Sequence, residues 1–350
     1  MTPEGNHPME PSLHQIAFGF VPAQIVHAAA RLGVADALAE GPCGYAEVAE
    51  RTGTDPTALR SLLRALVGLG LAVQTDADRF ALTEAGRPLR GDAPDSVRAD
   101  ILLSTMPELW QAWGALVEAV RNGVAPQDPA TGLTAFEATL RDPAFSSAYR
   151  GARADSGRIL GPAVARACDF GRFRSVVDFG GDDGALLAAI LAAVPDLRGI
   201  LLDTPTGAAR AAAALAEAGV ADRCELVPDG GHPDAPVPPG ADAYLFNHVI
   251  RDRGDAAAVD LLRRCRAAMA PEARLLLVET VLPVVLSHED CAAYGLTDLN
   301  GLVYSGGRER SVPEYRDLLA AAGLSLAGTT DVPAPGALAD YSVLEGVPAP

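Results

Sequence analysis

Residues 175–203 read SVVDFGGDDGALLAAILAAVPDLRGILLD. Ser175–Phe179 is a β-branched and apolar run, the composition of a parallel strand buried on both faces. Gly180, Gly181 and Gly184 follow, and glycine lets a backbone turn sharply and approach a ligand closely. Ala185–Val194 is rich in Ala and Leu, has the length of a crossover helix, and stops at Pro195. Ile200–Leu202 is a second strand, closing on Asp203. Strand, glycine turn, helix, strand and terminal acid form a nucleoside-binding unit, in which a helix N-terminus faces the ligand and the acid takes the ribose hydroxyls. Glycines alone also mark ordinary turns, so the order of elements carries the expectation.

The 350 residues suit two domains with a large core. Hydrophobic residues make up 49% of the chain, which marks it as folded rather than disordered. A net charge of −17 argues against nucleic acid or anionic membrane as partner, since both require basic surface. Cys43, Cys168, Cys224, Cys265 and Cys291 are scattered without a C-x-x-C pair. No disulfide framework or zinc site is expected, and a reducing cytoplasm is the expected compartment. The histidines lack metal-ligand spacing, so no metal is expected. The opening MTPEGNHPMEPSLHQ has no basic start and no apolar core, so no secretory leader is expected. No apolar run approaches the roughly 20 residues of a membrane span.

Outward from the glycine turn, Cys224–Val227, Ala243–Asn247, Arg274–Thr280, Leu324–Gly328 and Tyr341–Glu345 read as further strands. Helices are expected at Thr206–Gly219, Ala256–Met269 and Ser311–Ala322, the last opening on a Ser311/Glu314 capping box. Asp298–Gly307 is expected to be a loop. Upstream, Thr134–Phe170 is helical, and Val97–Asn122 is a helical stretch carrying Trp110 and Trp113, aromatics that more often pack in a core or interface than line a substrate cage. Helical spacing marks Leu13–Leu32, Tyr45–Thr52 and Asp55–Leu69, with Asp55 as N-cap and Pro56 at the first helical position. Leu71–Val73 and Arg79–Leu82 flank TDAD as a hairpin. Three helices and a hairpin form a winged-helix pattern. Its would-be DNA-reading helix offers only Arg60 and Arg64 on an apolar background, which favours a core or dimerisation helix. The expected divisions are 1–95, a helical linker over 96–170, and 171–350.

In this order the motifs resemble the S-adenosylmethionine-dependent O-methyltransferases of plant and bacterial secondary metabolism, over nearly the whole chain. VVDFGGDDGALL is similar to the family's donor loop, and AGVADRCELV, DAYLFNHVI, LLRRCRAAMAPEARLLLVETVLP and DLNGLVYSGGRERS to its later blocks. The resemblance implies an α/β fold: a Rossmann-like class I methyltransferase domain with a mixed, mostly parallel seven-stranded sheet, and an N-terminal winged-helix dimerisation domain. It implies a homodimer, S-adenosylmethionine as cofactor and a small natural-product substrate. It assigns the donor to Asp178, Gly180, Gly181, Asp182, Gly184, Asp203, Asp229 and Asn247. It assigns the acceptor pocket to Trp110, Trp113, Tyr149, Arg153, His248, Asn300 and Tyr304.

Two departures matter for the chemistry. The family's base is a histidine in a block shaped L-H-D-W-D-D; here the block is Ile250-Arg251-Asp252-Arg253-Gly254-Asp255, so Arg251 stands at the base position. The acids that orient the histidine match Glu279 and Glu309. A guanidinium keeps its proton in proteins, and nearby acids strengthen that. Arg251, flanked by Asp252, is therefore expected to act not as a base but as a cationic donor held by Glu279 and Glu309 and aimed at a substrate carbonyl or carboxylate; the alternative is a structural ion pair in a decayed site. Second, the family's third loop glycine is Asp182, followed by Asp183. A carboxylate there is expected to repel the donor's own carboxylate and weaken its binding. Three readings stay open. A repurposed enzyme would run pericyclic cyclisation or isomerisation, decarboxylation or hydroxylation, and the lost base favours it. A working O-methyltransferase would act on an acidic hydroxyl by proximity. A non-enzymatic regulator would use the winged helix.

Overall fold

A computed structural model describes residues 12–93, 95–142, 146, 157–228, 236–287, 296–333 and 341–350. The chain divides into two units, Met1–Pro107 and Glu108–Pro350.

In the first unit, Asp55 accepts the Ala58 N–H at 2.8 Å and so starts the helix Pro56–Gly68. Leu59, Leu63 and Leu66 recur on one face of that helix and enter a core with Val34, Leu38, Val48 and Phe80. Burying each leucine contributes about 2 kcal/mol, so this face of the helix is core, while the outer face carries exposed Thr57, Ser61 and Arg64. Strands β1 (Cys43–Gly44), β2 (Ala72–Asp76) and β3 (Arg79–Leu82) form an antiparallel wing in the order β1-β3-β2. The Leu13–Leu32 periodicity is realised as two helices, Leu13–Ala17 and Phe20–Leu32, parted at Gly19.

In the second unit, β4 (Ser175–Phe179), β5 (Arg198–Leu202), β6 (Cys224–Val227), β7 (Ala243–Asn247), β8 (Arg274–Leu282), β9 (Arg310–Ser311), β10 (Leu324–Val332) and β11 (Tyr341–Pro348) build one sheet. Its main order is β10-β11-β8-β7-β4-β5-β6, with β9 added to the end of β8. Pairings from β6 through β8 are parallel, and β11 and β10 close the edge antiparallel. Side chains alternate across β4: Val176 joins the core under the helices Ala185–Ala193 and Pro205–Glu217, while Val177 and Phe179 join the core under Asp255–Ala268 and Val312–Ala321. Strand order turns around at β4, which opens a crevice at the carboxyl ends of β4, β5 and β7.

One local expectation fails and another gains detail. Residues 298–307 are not a loop: Leu296–Ser305 is helical. Asp298, Asn300 and Gly301 look like turn residues, but Leu299 and Val303, four apart, share one face, and Val303 is buried. The stretch Val97–Asn122 is three helices, Arg98–Ser104, Pro107–Gly114 and Leu116–Asn122. Pro107 can only begin a helix, and Gly114 ends one. Among the described residues no helix is long and apolar enough to cross a membrane, and no cluster of His, Cys, Asp and Glu forms a metal site.

Candidate active site

The crevice has two edges. At the first, Gly180 (φ +70°) and Gly184 (φ +74°) take the left-handed backbone that follows β4. Gly181 is required for a different reason: a Cβ there would lie 2.6 Å from Asp178 Oδ2 and 2.8 Å from Leu201 Cδ1. The turn thus lies directly on Asp178. That carboxyl is buried, its oxygens take no hydrogen bond among the described residues, and burial, aided by Asp203 and Asp183, pushes its pKa up to about 7. Asp203 follows β5. Its Oδ1 accepts from the Thr204 N–H at 2.7 Å and the Thr204 hydroxyl at 3.0 Å, and its Oδ2 accepts from the Asp182 N–H at 2.9 Å. One acid therefore ties the glycine turn to the start of the next helix.

Asp182 holds a left-handed backbone (φ +50°) without being glycine. Its carboxylate pairs with Arg210 of the helix Pro205–Glu217. The acid expected to repel a donor carboxylate therefore has a guanidinium beside it. A glycine cradle, a ribose-type acid and a buried carboxyl beneath the turn fit S-adenosylmethionine, the cofactor that the resemblance implies.

At the second edge, β7 ends at Asn247 and the chain turns through His248, a second non-glycine residue with left-handed backbone (φ +57°). The His248 ring stacks on Tyr341, centroids 5.2 Å apart. The chain then presents Arg251. Its Nη2 lies 2.5 Å from Glu309 Oε1, and its Nη1 lies 3.4 Å from Thr280 Oγ1. Glu279 does not hold the guanidinium as expected. Its Oε1 instead accepts the backbone N–H groups of Ile250 at 3.1 Å and Arg251 at 3.4 Å. The two orienting acids have thus divided the work: Glu279 fixes the main chain and Glu309 fixes the side chain. Burial pushes Glu279 up to about 8 and Glu309 up to about 7, against the pull of Arg251. Burial also opposes the charge on Arg251, but Glu309, Asp252 and Glu279 outweigh it and raise its pKa further. A proton acceptor is absent at this position, and a fixed cation is present.

Trp113 and Asn300 are brought together, with Trp113 Nε1 donating to Asn300 Oδ1 at 3.3 Å. The Tyr304 hydroxyl donates to Thr139 Oγ1 at 2.9 Å, and its ring meets Phe136 edge-on. Trp110 is exposed. Tyr149, Arg153 and Asp229 lie outside the described residues. Sequence inspection missed Arg210, Thr280, Arg310 and Tyr341. Only Arg210 left a signal, as the one charge in the Ala-rich run 205–216.

Comparison with known proteins identifies the fold and the family. The O-methyltransferase domain family covers residues 113–325, and the O-methyltransferase dimerisation domain covers residues 14–90. The chain is 38% identical to O-demethylpuromycin-O-methyltransferase of Streptomyces alboniger, over 95% of this chain and 88% of that protein. It superposes on the mitomycin 7-O-methyltransferase MmcR with a TM-score of 0.84 at 35% identity, covering 96% of this chain and 97% of that one. It superposes on NcsB1, an O-methyltransferase of neocarzinostatin biosynthesis solved with S-adenosylmethionine and 2-hydroxy-5-methyl naphthoic acid, with a TM-score of 0.80 at 30% identity, covering 93% and 96%. These relatives carry out methyl transfer, and none is named for a cyclase activity.

Proposed function

We propose that this chain, which belongs to the O-methyltransferase family, transfers a methyl group from S-adenosylmethionine to an acidic aromatic hydroxyl of a small natural product. The observation that carries this reading is Arg251, a fixed guanidinium 2.5 Å from buried Glu309 at the carboxyl edge of the sheet. S-adenosylmethionine, when bound, supplies an electrophilic methyl group. Gly180, Gly181 and Gly184 would leave room for its approach, and Asp203 would take its ribose hydroxyls. The chain's own task at the acceptor is to hold an oxygen that arrives already ionised. A hydroxyl conjugated through the ring to a quinone-type carbonyl is a vinylogous acid, loses its proton to water near or below neutral pH and needs no base. Arg251 then stabilises the phenolate and aligns it, an effect of proximity and electrostatics rather than of proton abstraction. NcsB1, solved with a hydroxynaphthoic acid in the complex, supports a small hydroxyaromatic as the ligand class.

The test incubates the protein with labelled donor and a panel of hydroxyquinone-type acceptors and simple phenols. Methylated product in equal amount to consumed donor, confined to the acidic acceptors, is the expected result. A second reading rests on the same guanidinium: a repurposed, non-methylating cyclisation, isomerisation, decarboxylation or hydroxylation in which Arg251 polarises a carbonyl. Substrate turnover without donor consumption would favour it. The dimerisation domain supports a homodimer, so light scattering is expected to give twice the 36.1 kDa chain mass; a monomer at micromolar concentration overturns that.

A further inference from the structure

Arg310 is completely buried, yet the acid it meets, Asp255, is largely exposed. A guanidinium has five N–H donors, and each is spent. Nε donates to Asp255 Oδ1 at 3.1 Å. Nη1 donates to the carbonyls of Ile250 at 3.1 Å and Arg308 at 3.3 Å. Nη2 donates to the Arg253 carbonyl at 2.8 Å and to Asp255 Oδ1 at 2.7 Å. Two of those carbonyls bracket Arg251 in the turn after β7. The carbonyl of Arg251 itself accepts from the Arg308 N–H at 2.8 Å. Gly307 presses on it so closely that a Cβ would lie 2.1 Å from that oxygen. The Ile250 and Arg251 N–H groups of the same turn are taken by Glu279. The turn that presents Arg251 is thus fastened by its donors on one side and its acceptors on the other. Glu309 is the chain neighbour of Arg310, and β9 anchors Arg310 to Val281 of β8. One buried side chain therefore fixes both partners of the Arg251–Glu309 pair relative to the sheet.

We propose that Arg310 is a positioning residue: through the Ile250 and Arg253 carbonyls and through its neighbour Glu309 it sets where the Arg251 guanidinium meets the acceptor. This rests on the reading that Arg251 acts on the acceptor. The geometry demands arginine and not merely a cation, because lysine has three donors on a flexible stem and cannot span three carbonyls and an acid.

The test compares the full chain with Arg310→Lys, Arg251→Ala and the double variant, each checked for folding by circular dichroism. Arg310→Lys is expected to lower kcat by about 20-fold, since a displacement of an ångström at a reacting group costs up to about 100-fold. Donor affinity by calorimetry is expected to stay within about twofold. On the Arg251→Ala background the same change is expected to cost less than about twofold, because a residue acting through Arg251 has nothing left to position. A crystal structure of Arg310→Lys is expected to show Arg251 and Glu309 more than about 4 Å apart, the outer limit of an ion pair. That readout needs no turnover, so it stands even if the chain proves not to transfer methyl groups. Wild-type kcat with the pair intact, or a loss that multiplies in full on Arg251→Ala, overturns the proposal. If Arg310→Lys does not fold, Asp255→Ala is judged by the same criteria with a kcat loss of about fivefold.

Discussion

The two edges of the crevice each carry an arginine–carboxylate pair where the family resemblance expects another residue, and the pairs differ in depth. At the donor edge, Asp182 and Arg210 are 21% and 31% exposed, and the pair joins a turn to a surface helix. At the acceptor edge, Glu309 is 1% exposed while Arg251 remains 22% exposed. A partly wet pair loses little when it is altered, because water replaces each partner. A buried acid has no such substitute: removing its cation strands a charge in a low-dielectric site. The first pair repairs a local fault, an acid in a glycine position. The second creates an electrostatic instrument, a cation with one face anchored in the core and the other open to a ligand.

The largest expected effect lies at the acceptor edge. Arg251→Ala should lower kcat by about 100- to 1,000-fold, the loss seen when one oxyanion donor is removed, with donor affinity changed little. Arg251→Lys should recover only a small part, because it keeps the charge and loses the planar fork. Arg251→His should not restore the native rate on acidic acceptors, since a neutral imidazole stabilises an anion less well. Steady-state kinetics on the three variants decide it. An Arg251→Ala enzyme with wild-type kcat would make the second pair as incidental as the first.

Next comes the stability cost of burial. Glu279 has its folded pKa raised from 4.5 to about 8, so it holds its proton more firmly folded than unfolded. The associated penalty is absent below the unfolded value and grows as pH rises from about 4.5 to about 8, to on the order of 5 kcal/mol at one pKa unit per 1.36 kcal/mol. Thermal stability should therefore fall across that window. Glu279→Gln, which keeps an oxygen for the Ile250 and Arg251 N–H groups, should flatten the fall: little change in Tm at pH 5 and a higher Tm at pH 8. Parallel melting curves for the two proteins would sink the idea that this edge is paid for in desolvation.

The smallest effects belong to the donor edge. Arg210→Ala removes the guanidinium that faces Asp182 and should weaken S-adenosylmethionine binding by about tenfold, equal to about 1.4 kcal/mol. Asp182→Gly relieves the left-handed strain and leaves Arg210 free to face an anion, so affinity should change by less than about threefold. Calorimetry on both variants sharpens the contrast. A large gain on Asp182→Gly would mean that Arg210 does not offset the acid, and that both edges are equally unforgiving.

What the sequence determined by itself was local and periodic. The β4–turn–β5 unit, the strands β6, β7, β8, β10 and β11, the helices Pro56–Gly68 and Val312–Ala321 with their caps, and the winged N-terminal region follow from side-chain alternation, helical spacing and turn chemistry, each of which acts between near neighbours in the chain. The same local logic misjudged Leu296–Ser305, where burial of Val303 outweighed turn-forming residues, and Val97–Asn122, where a proline and a glycine cut a continuous pattern. It also identified Arg251 as a cation that cannot serve as a base. The tertiary structure alone decided which groups that cation and its neighbours meet. Arg210 reaches Asp182 across 28 positions, Glu279 turned from the guanidinium to the backbone, and Arg310 gathered carbonyls 57 and 60 positions away. Such partners are chosen by the register of the sheet and by the need to satisfy every buried donor and acceptor, and neither condition leaves a mark on the spacing of residues along the chain.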